Sequence, residues 1–222
     1  MKLAVFDIDG TLIRGGSERL FWRYLVARGR QGPRQIFAFL LFMIRYLPIG
    51  GIHTPRKNKA YLCGLEVDDV AVLARDFVAE NLIHRLYGPA VQRLRQHQNR
   101  GDVVVLMSGT LHPIARALAD HLGVDYVCAT ITSQRNGVFL AQPPEMHPYD
   151  AAKLNLVSRL AAELRFDLRQ VTAYGDSKRD VFLLAAVGEP VAVQPDSKLL
   201  EVALERDWEI IQDPAPAPAL SR

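Results

Sequence analysis

Two aspartates directly after the first apolar segment constrain this chain more than any other feature. Leu3 to Phe6 is apolar throughout, as expected of a short buried strand, and Asp7, Asp9 and a Gly10-Thr11 turn follow at once. Residues two apart on a strand point to the same side. Carboxylates held so close repel each other, which indicates either a shared proton or a bound cation. A plain turn before a glycine is the structural alternative.

Apolar strands and helical segments alternate along the rest of the chain. Val103 to Met107 is continuously apolar, and Gln170 to Tyr174 and Pro190 to Val193 are further strand candidates. Continuous apolar strands are typical of parallel sheets that are buried on both faces. We therefore predict an α/β fold with a doubly wound parallel sheet.

One further pair of strands is predicted outside this pattern. Tyr126 to Thr132 and Val138 to Ala141 are joined by a segment containing Asn136-Gly137, a dipeptide that favours tight hairpin turns. We predict that these two segments form a β-hairpin.

Residues 16–87 show almost no strand-like alternation and predict a mainly helical insert after the first strand. The expected helices, with Ser17 as the cap of the first and Pro48 as the end of the second, are Glu18–Arg28, Gln35–Leu47, Lys57–Leu62 and Val67–Leu86. We predict a discontinuous core domain, 1–15 and 88–212, a helical cap domain, 16–87, and a disordered Pro/Ala-rich tail, 213–222.

Three of the predicted strands end in polar groups. Asp7 and Asp9 follow the first, Ser108-Gly109-Thr110 the second, and Gly175-Asp176 a third. Parallel strands present these ends at one edge of the sheet. Carboxylates suit Mg²⁺, and a hydroxyl with N–H groups at a helix start suits a phosphate. Lys153, on a predicted helix from Ala151 to Leu164, can add positive charge, and the set favours phosphoryl transfer.

These motifs, in this order, resemble the haloacid dehalogenase (HAD) superfamily, in the subfamily that contains phosphoserine phosphatase. The resemblance covers about residues 3–205. It implies a HAD-like Rossmannoid core with a C1-type helical cap. The matching motifs are Asp7-Ile8-Asp9-Gly10-Thr11, Ser108-Gly109-Thr110, Lys153, and Gly175-Asp176 with Asp180.

The resemblance also implies the role of each residue. Asp7 is the expected nucleophile and forms an aspartyl-phosphate, while Asp9 is the expected general acid and base. Mg²⁺ is expected on Asp7, Asp176 and the backbone carbonyl of Asp9, with Asp180 supporting it indirectly. The expected phosphate-binding residues are Ser108, Gly109, Thr110 and Lys153. An acid two residues after the nucleophile favours a phosphatase or phosphomutase over a dehalogenase.

Two departures from phosphoserine phosphatase put serine specificity in doubt. The linker glutamate that holds the substrate ammonium there has only Glu18 as a counterpart, a couple of residues late. Arg179 stands where that enzyme has an asparagine that helps to orient the phosphate. We therefore expect a small-molecule phosphomonoester as substrate and no nucleic acid. The alternatives are a lipid-like phosphate such as phosphatidylglycerophosphate, a phosphotransferase or mutase, and a catalytically idle domain that binds a phosphorylated ligand.

The insert contains one unusually apolar run, from Ile36 to Ile44. Packing inside the cap, contact with a lipid-like substrate or membrane surface, and dimerisation are the three interpretations. The run is too short to span a membrane, and no signal peptide is expected at the N-terminus.

Other residue types give weaker indications. Cys63 and Cys128 predict reduced packing residues in a cytoplasmic protein. His112, His121 and His147 are expected to be surface or packing residues, because nothing pairs them at metal-ligand spacing.

Overall fold

A six-stranded parallel sheet forms the centre of the protein. The computed structural model describes residues 1–51 and 54–213. Its strands are β1 Leu3–Phe6, β2 Val103–Leu111, β3 Tyr126–Thr130, β6 Val171–Gly175, β7 Glu189–Val193 and β8 Glu209–Ile211. Their order in the sheet is β3-β2-β1-β6-β7-β8, so that β1 lies between β2 and β6. This parallel sheet with helices on both faces confirms the predicted α/β fold.

Side chains of the central strands alternate between two hydrophobic clusters, one on each face. Leu3 and Val5 of β1 belong to one cluster, and Ala4 and Phe6 belong to the other. Successive residues of a strand point to opposite faces, so both faces of an apolar strand can be covered. This accounts for the continuous apolar runs in the sequence.

Nine α-helices occur in the described part of the chain. The helices are α1 Ser17–Ala27, α2 Pro33–Gly50, α3 Thr54–Lys57, α4 Val67–Phe77, α5 Gly88–Asn99, α6 His112–Leu122, α7 Ala151–Glu163, α8 Val181–Leu184 and α9 Ser197–Glu205. Helix α2 passes through Pro48 instead of ending there, and its C-cap residue is Gly51. A proline removes one backbone hydrogen bond, and here the loss falls in the exposed last turn.

Two predicted helices are broken in the structure. The segment predicted as one helix from Val67 to Leu86 is α4, then a π-helical turn at Val78–Leu82 and a 3₁₀ turn at Ile83–Arg85. The predicted helix Lys57–Leu62 is interrupted at Asn58. The side chain of Asn58 bonds the backbone carbonyl of Phe39 and the N–H of Ala60, which competes with helical bonding.

The predicted hairpin is wrong in its first strand. Tyr126–Thr130 is β3 and pairs in parallel with β2 in the main sheet. The hairpin that does form joins β4, Gln134–Arg135, to β5, Val138–Phe139, around Asn136-Gly137. Both turn residues have positive φ, 52° and 75°, as a type I′ turn requires. The sequence does not predict strand β8, Glu209–Ile211.

The segment predicted as a cap shares one hydrophobic cluster with the sheet. Phe21 of α1 and Phe77 of α4 belong to the same buried cluster as Leu106 of β2 and Leu118 of α6. The division into a core domain and a cap domain, with boundaries at 15/16 and 87/88, stays a prediction. The predicted disordered tail falls almost entirely at 214–222, outside the described residues.

Helix α2 is the exception to this packing. Ala38 and Phe42 are buried against Ala60, but Phe37 and Ile44 are 67% and 73% exposed. Packing inside the predicted cap therefore buries only a minority of the residues in the apolar run from Ile36 to Ile44. Among the described residues, no helix is both long enough and apolar enough to cross a membrane.

Candidate active site

The carboxyl ends of three neighbouring strands bring the predicted site residues together. Asp7 follows β1 and Asp176 follows β6, while Ser108 lies near the end of β2. The backbone N–H of Asp7 donates to the Tyr174 carbonyl over 3.0 Å, which extends the pairing of β1 with β6 by one residue. Parallel pairing thus places the side chains of Asp7 and Asp176 at one edge of the sheet.

Three aspartates form an acidic cluster at this edge. One carboxylate oxygen from each of Asp7, Asp176 and Asp180 lies within 4.8 Å of the others. Burial, opposed by Lys153 and assisted by Asp180, raises the pKa of Asp7 to about 6. Burial together with Asp7 and Asp180 raises the pKa of Asp176 to about 8. Negative charges buried this close together repel each other, and a bound cation would relieve the repulsion. Carboxylate oxygens are ligands that Mg²⁺ prefers.

Lys153 supplies one positive charge to the cluster. Its Nζ atom lies 2.6 Å from Asp180 Oδ1 and 3.1 Å from Asp7 Oδ1, and the residue is 5% exposed. Burial alone would lower the pKa of Lys153, but Asp7 and Asp180 outweigh burial and raise it. The ammonium group therefore stays charged. Asp180 is further fixed by the N–H and hydroxyl of Ser177, which both donate to its Oδ2.

Asp9 lies apart from this cluster and is bound to helix α1. Its Oδ1 accepts the Ser17 backbone N–H over 2.7 Å. Burial raises the pKa of Asp9, while the bonds from Ser17 oppose the rise. The expectation that the Ser17 side chain caps α1 is wrong, since its hydroxyl bonds the Thr110 hydroxyl over 2.6 Å. The Asp9 carboxylate takes the capping position instead.

The Ser108-Gly109-Thr110 motif differs from the expected helix start. These residues lie within β2, where the pairing with β3 shifts register between Met107 and Leu111, and α6 begins only at His112. Ser108 and Gly109 line the cavity described below. Thr110 does not: it is buried, and its N–H donates to Ser108 Oγ at 3.3 Å. Thr110 therefore supports Ser108 from outside the cavity lining, and its expected contact with phosphate stays a prediction.

Two glycines allow the acidic residues to approach the backbone closely. Gly10 has a φ of 87°, and a Cβ atom there would collide with the Asp176 carboxylate. A Cβ atom on Gly175 would lie 2.6 Å from Asp180 Cβ. Glycine at these positions lets the loops after β1 and β6 close around the cluster.

A cavity of about 770 Å³ opens above the acidic cluster between the sheet edge and the helical insert. The insert contributes an apolar wall that includes Trp22, Ile36, Phe39 and Leu40. Glu18 also lines the cavity, but its carboxylate is already engaged. It accepts a 2.8 Å bond from the Tyr61 hydroxyl and pairs at 2.5 Å with the buried ammonium of Lys59.

Sequence reasoning missed a group of residues at the cavity wall. His147 stacks on Tyr149, and its Nδ1 lies 2.8 Å from the Thr130 hydroxyl. Burial, together with the nearby charges of Lys59, Lys57 and Arg56, lowers the pKa of His147 to about 4. The imidazole is therefore neutral at pH 7. Arg56 and Arg179 both lie over the Tyr149 ring. The sequence indicates this group only through the proximity of His147 to Lys153 and through Arg179, which directly precedes Asp180.

Comparison with known proteins identifies the family. The model of the haloacid dehalogenase-like hydrolases matches residues 4–185. The chain belongs to this family. Membership confirms the resemblance inferred from the four motifs and makes the cluster at the sheet edge the candidate active site of a HAD-like hydrolase.

Several curated relatives match nearly the whole chain. A putative hydrolase of Mycobacterium leprae is 29% identical over 93% of this chain and 71% of its own. The phosphoserine phosphatase SerB1 of Mycobacterium tuberculosis is also 29% identical, over 93% of this chain and 69% of its own. A histidinol-phosphatase of Neisseria meningitidis is 26% identical over 95% and 98% of the two chains.

Solved structures show the same fold. A protein of unknown function from Bordetella pertussis Tohama I superposes with a TM-score of 0.80 at 25% identity, covering 94% of this chain and 97% of that one. A phosphoserine phosphatase, solved as an analogue of its phospho-aspartyl intermediate, gives a TM-score of 0.62 at 19% identity, covering 96% and 93%. The latter likeness supports the HAD fold alone.

Proposed function

We propose that this HAD-like hydrolase is a Mg²⁺-dependent phosphatase that cleaves a small-molecule phosphomonoester through an aspartyl-phosphate on Asp7. The observation that carries the proposal is the acidic cluster of Asp7, Asp176 and Asp180, with Lys153 beside it, on the floor of a large cavity. The names of two relatives, a phosphoserine phosphatase and a histidinol-phosphatase, support the same reaction class.

The residues present fit a magnesium ion. Asp7 Oδ1 is buried without a hydrogen-bond partner among the described residues, although it faces the charge of Lys153. The ion would be held by Asp7, Asp176 and the backbone carbonyl of Asp9. Asp180 would support the ion indirectly, through its ion pair with Lys153. When bound, the ion supplies positive charge against the phosphoryl oxygens.

The nucleophile and the acid have separate environments, as their two roles require. The Asp7 carboxylate would attack phosphorus, and the bond to the leaving oxygen breaks as that oxygen takes the proton of Asp9. Burial raises the pKa of Asp9 and so favours a protonated acid at the start. Water then attacks phosphorus and passes a proton to Asp9, while the bond between phosphorus and the Asp7 oxygen breaks. Inorganic phosphate leaves, and the Asp7 carboxylate and the protonated Asp9 are restored. Lys153, Ser108 and the Gly109 N–H would hold the phosphoryl oxygens.

These residues would bind the phosphate group of the substrate, but they do not determine the rest of the substrate. Phosphoserine carries an ammonium group. At the cavity wall, the carboxylate of Glu18 is the group that would attract this ammonium. Because Glu18 is already paired with Lys59 and bonded by Tyr61, we assign the chain to phosphomonoester hydrolysis without serine specificity. Placement in the cytoplasm also stays a prediction.

A phosphate-release assay tests the function. Wild-type protein should hydrolyse an aryl phosphate with Mg²⁺ and lose this activity in chelator, and Asp7→Asn should abolish it. Thr11, a buried residue of the same motif with no part in the proposed chemistry, offers a matched control as Thr11→Ser.

The rival functions predict different results. Transfer of phosphate to an added alcohol in preference to water would show a phosphotransferase. No turnover by wild type, together with unchanged binding of a phosphorylated ligand by Asp7→Asn, would show an idle binding domain and refute the proposal.

A further inference from the structure

Helix α2 exposes an apolar face that no described residue covers. Eight of its large apolar side chains are at least 38% exposed, which is unusual for a contiguous surface. They are Ile36, Phe37, Phe39, Leu40, Leu41, Ile44, Leu47 and Ile49. We call this set the α2 face. Trp22 on the neighbouring helix α1 is 45% exposed and also lines the cavity.

The segment that carries the α2 face is strongly basic. From Arg19 to Leu65 the sequence contains nine lysines and arginines and no aspartate or glutamate. Lys59, Arg28 and Arg30 have acidic partners. Among the described residues the other six form no salt bridge, and all six are exposed: Arg19, Arg23, Arg34, Arg45, Arg56 and Lys57.

The α2 face is continuous with the wall of the active-site cavity. Ile36, Phe39 and Leu40 belong to both. An apolar chain that runs along the face therefore reaches the cavity without crossing polar surface. The phosphate end of such a molecule would meet Lys153 and the acidic cluster at the cavity floor.

We propose that the α2 face docks on an anionic lipid surface, and that the substrate is an amphiphilic phosphomonoester whose apolar chain lies along this face. Exposed apolar side chains flanked by arginines suit the boundary between headgroups and acyl chains. A second copy of the chain fits less well, because pairing two such segments would bring like charges together. The substrate half of this proposal rests on the proposed phosphatase function, but the docking half does not.

Vesicle sedimentation tests the docking half without any activity measurement. Wild-type protein should bind phosphatidylcholine vesicles that contain phosphatidylglycerol about tenfold more strongly than phosphatidylcholine alone, and high salt should weaken binding. Phe37→Ser with Ile44→Ser should reduce binding at least about tenfold, since both side chains lie on the face but not at the cavity. Leu204→Ser with Val72→Ser, at exposed apolar positions elsewhere, should leave binding unchanged.

Two results would overturn docking on lipid. One is wild-type binding to neither kind of vesicle. The other is a wild-type dimer in light scattering that the Phe37→Ser, Ile44→Ser variant turns into a monomer, which would assign the face to a second copy.

A chain-length series tests the substrate half. Phosphate release from dodecyl phosphate in anionic vesicles should exceed release from ethyl phosphate, and the Phe37→Ser, Ile44→Ser variant should lose the difference while keeping its aryl phosphate activity. Equal rates for both alkyl phosphates, with aryl phosphate still hydrolysed, would overturn the substrate half alone. Vesicle binding without hydrolysis of any phosphate would overturn the proposed function and leave docking supported.

Discussion

Lys153 is the sharpest test of the electrostatics of this site. It is 5% exposed and pairs with two buried carboxylates, Asp180 at 2.6 Å and Asp7 at 3.1 Å. Lys153→Met keeps an unbranched side chain of similar length and removes the ammonium group, with both its charge and its hydrogen bond to Asp180. The variant leaves Asp7, Asp176 and Asp180 within 4.8 Å of one another without that counter-charge.

The expected loss of stability is large. Removing one partner of a buried ion pair costs about 3–5 kcal/mol. For a chain of this size each kcal/mol lowers Tm by about 2–4 °C, so we expect a Tm lower by roughly 6–20 °C in metal-free buffer at neutral to alkaline pH.

The loss should depend on pH in a defined direction. Lys153 lowers the pKa of Asp7, so its removal raises that pKa further above the ordinary 3.8. A carboxyl group whose pKa is raised by folding contributes stability below its unfolded pKa and loses it as pH rises through the folded value. The variant should therefore be closer to wild type at about pH 5 than at about pH 8.

Circular dichroism melts in chelator would measure both effects. Lys198→Met, at an exposed lysine on α9, is the matched control and should change Tm little. A Lys153→Met variant within about 1 kcal/mol of wild type at about pH 8, or equally destabilised at both pH values, would refute the view that Lys153 balances the acidic cluster.

Three further predictions concern the metal and the acid. Asp9→Asn should lower phosphate release about 10²–10⁴-fold while calorimetric Mg²⁺ affinity stays near wild type, because its carboxylate lies outside the cluster. A loss of affinity as large as in Asp176→Ala would contradict this assignment. Gly10→Ala should weaken Mg²⁺ binding and lower Tm, because a Cβ atom there strikes Asp176 at a positive φ, and unchanged values for both would count against that contact. Mg²⁺ should raise Tm more at about pH 8 than at about pH 5, since the raised pKa values of Asp7 and Asp176 keep protons on the cluster at the lower pH; equal shifts would exclude these groups as ligands.

The central sheet could be predicted because its strands are apolar on both faces. The sequence predicts β1, β2, β6 and β7, although β2 runs four residues beyond its predicted end at Met107. The sequence predicts a hairpin for β3 instead of its parallel pairing with β2, because pairing across a register shift depends on distant residues. β8 has only three residues and carries too short a pattern to detect.

The charged residues at the sheet edge could be predicted because each follows an apolar strand or lies on the helix before one. The residues that form the cavity wall could not be predicted from the sequence. Lys59 and Tyr149 lie in irregular segments, and only the packing of the insert against the sheet brings them to the same cavity. A helical period likewise shows that α2 is apolar but not which of its side chains find a partner.

The junction between Asp9 and α1 couples the acid to the insert. The Asp9 carboxylate is held by the first N–H of α1, and the hydroxyl of that same residue, Ser17, bonds Thr110 beside the phosphate-binding segment. Phe21, one turn further along α1, is buried in the cluster that the insert shares with the sheet. A rotation of α1 would therefore move the Asp9 side chain and disturb Thr110 together. The orientation of the proposed general acid thus depends on the packing of the same helix that contributes Glu18, Arg19 and Trp22 to the cavity wall.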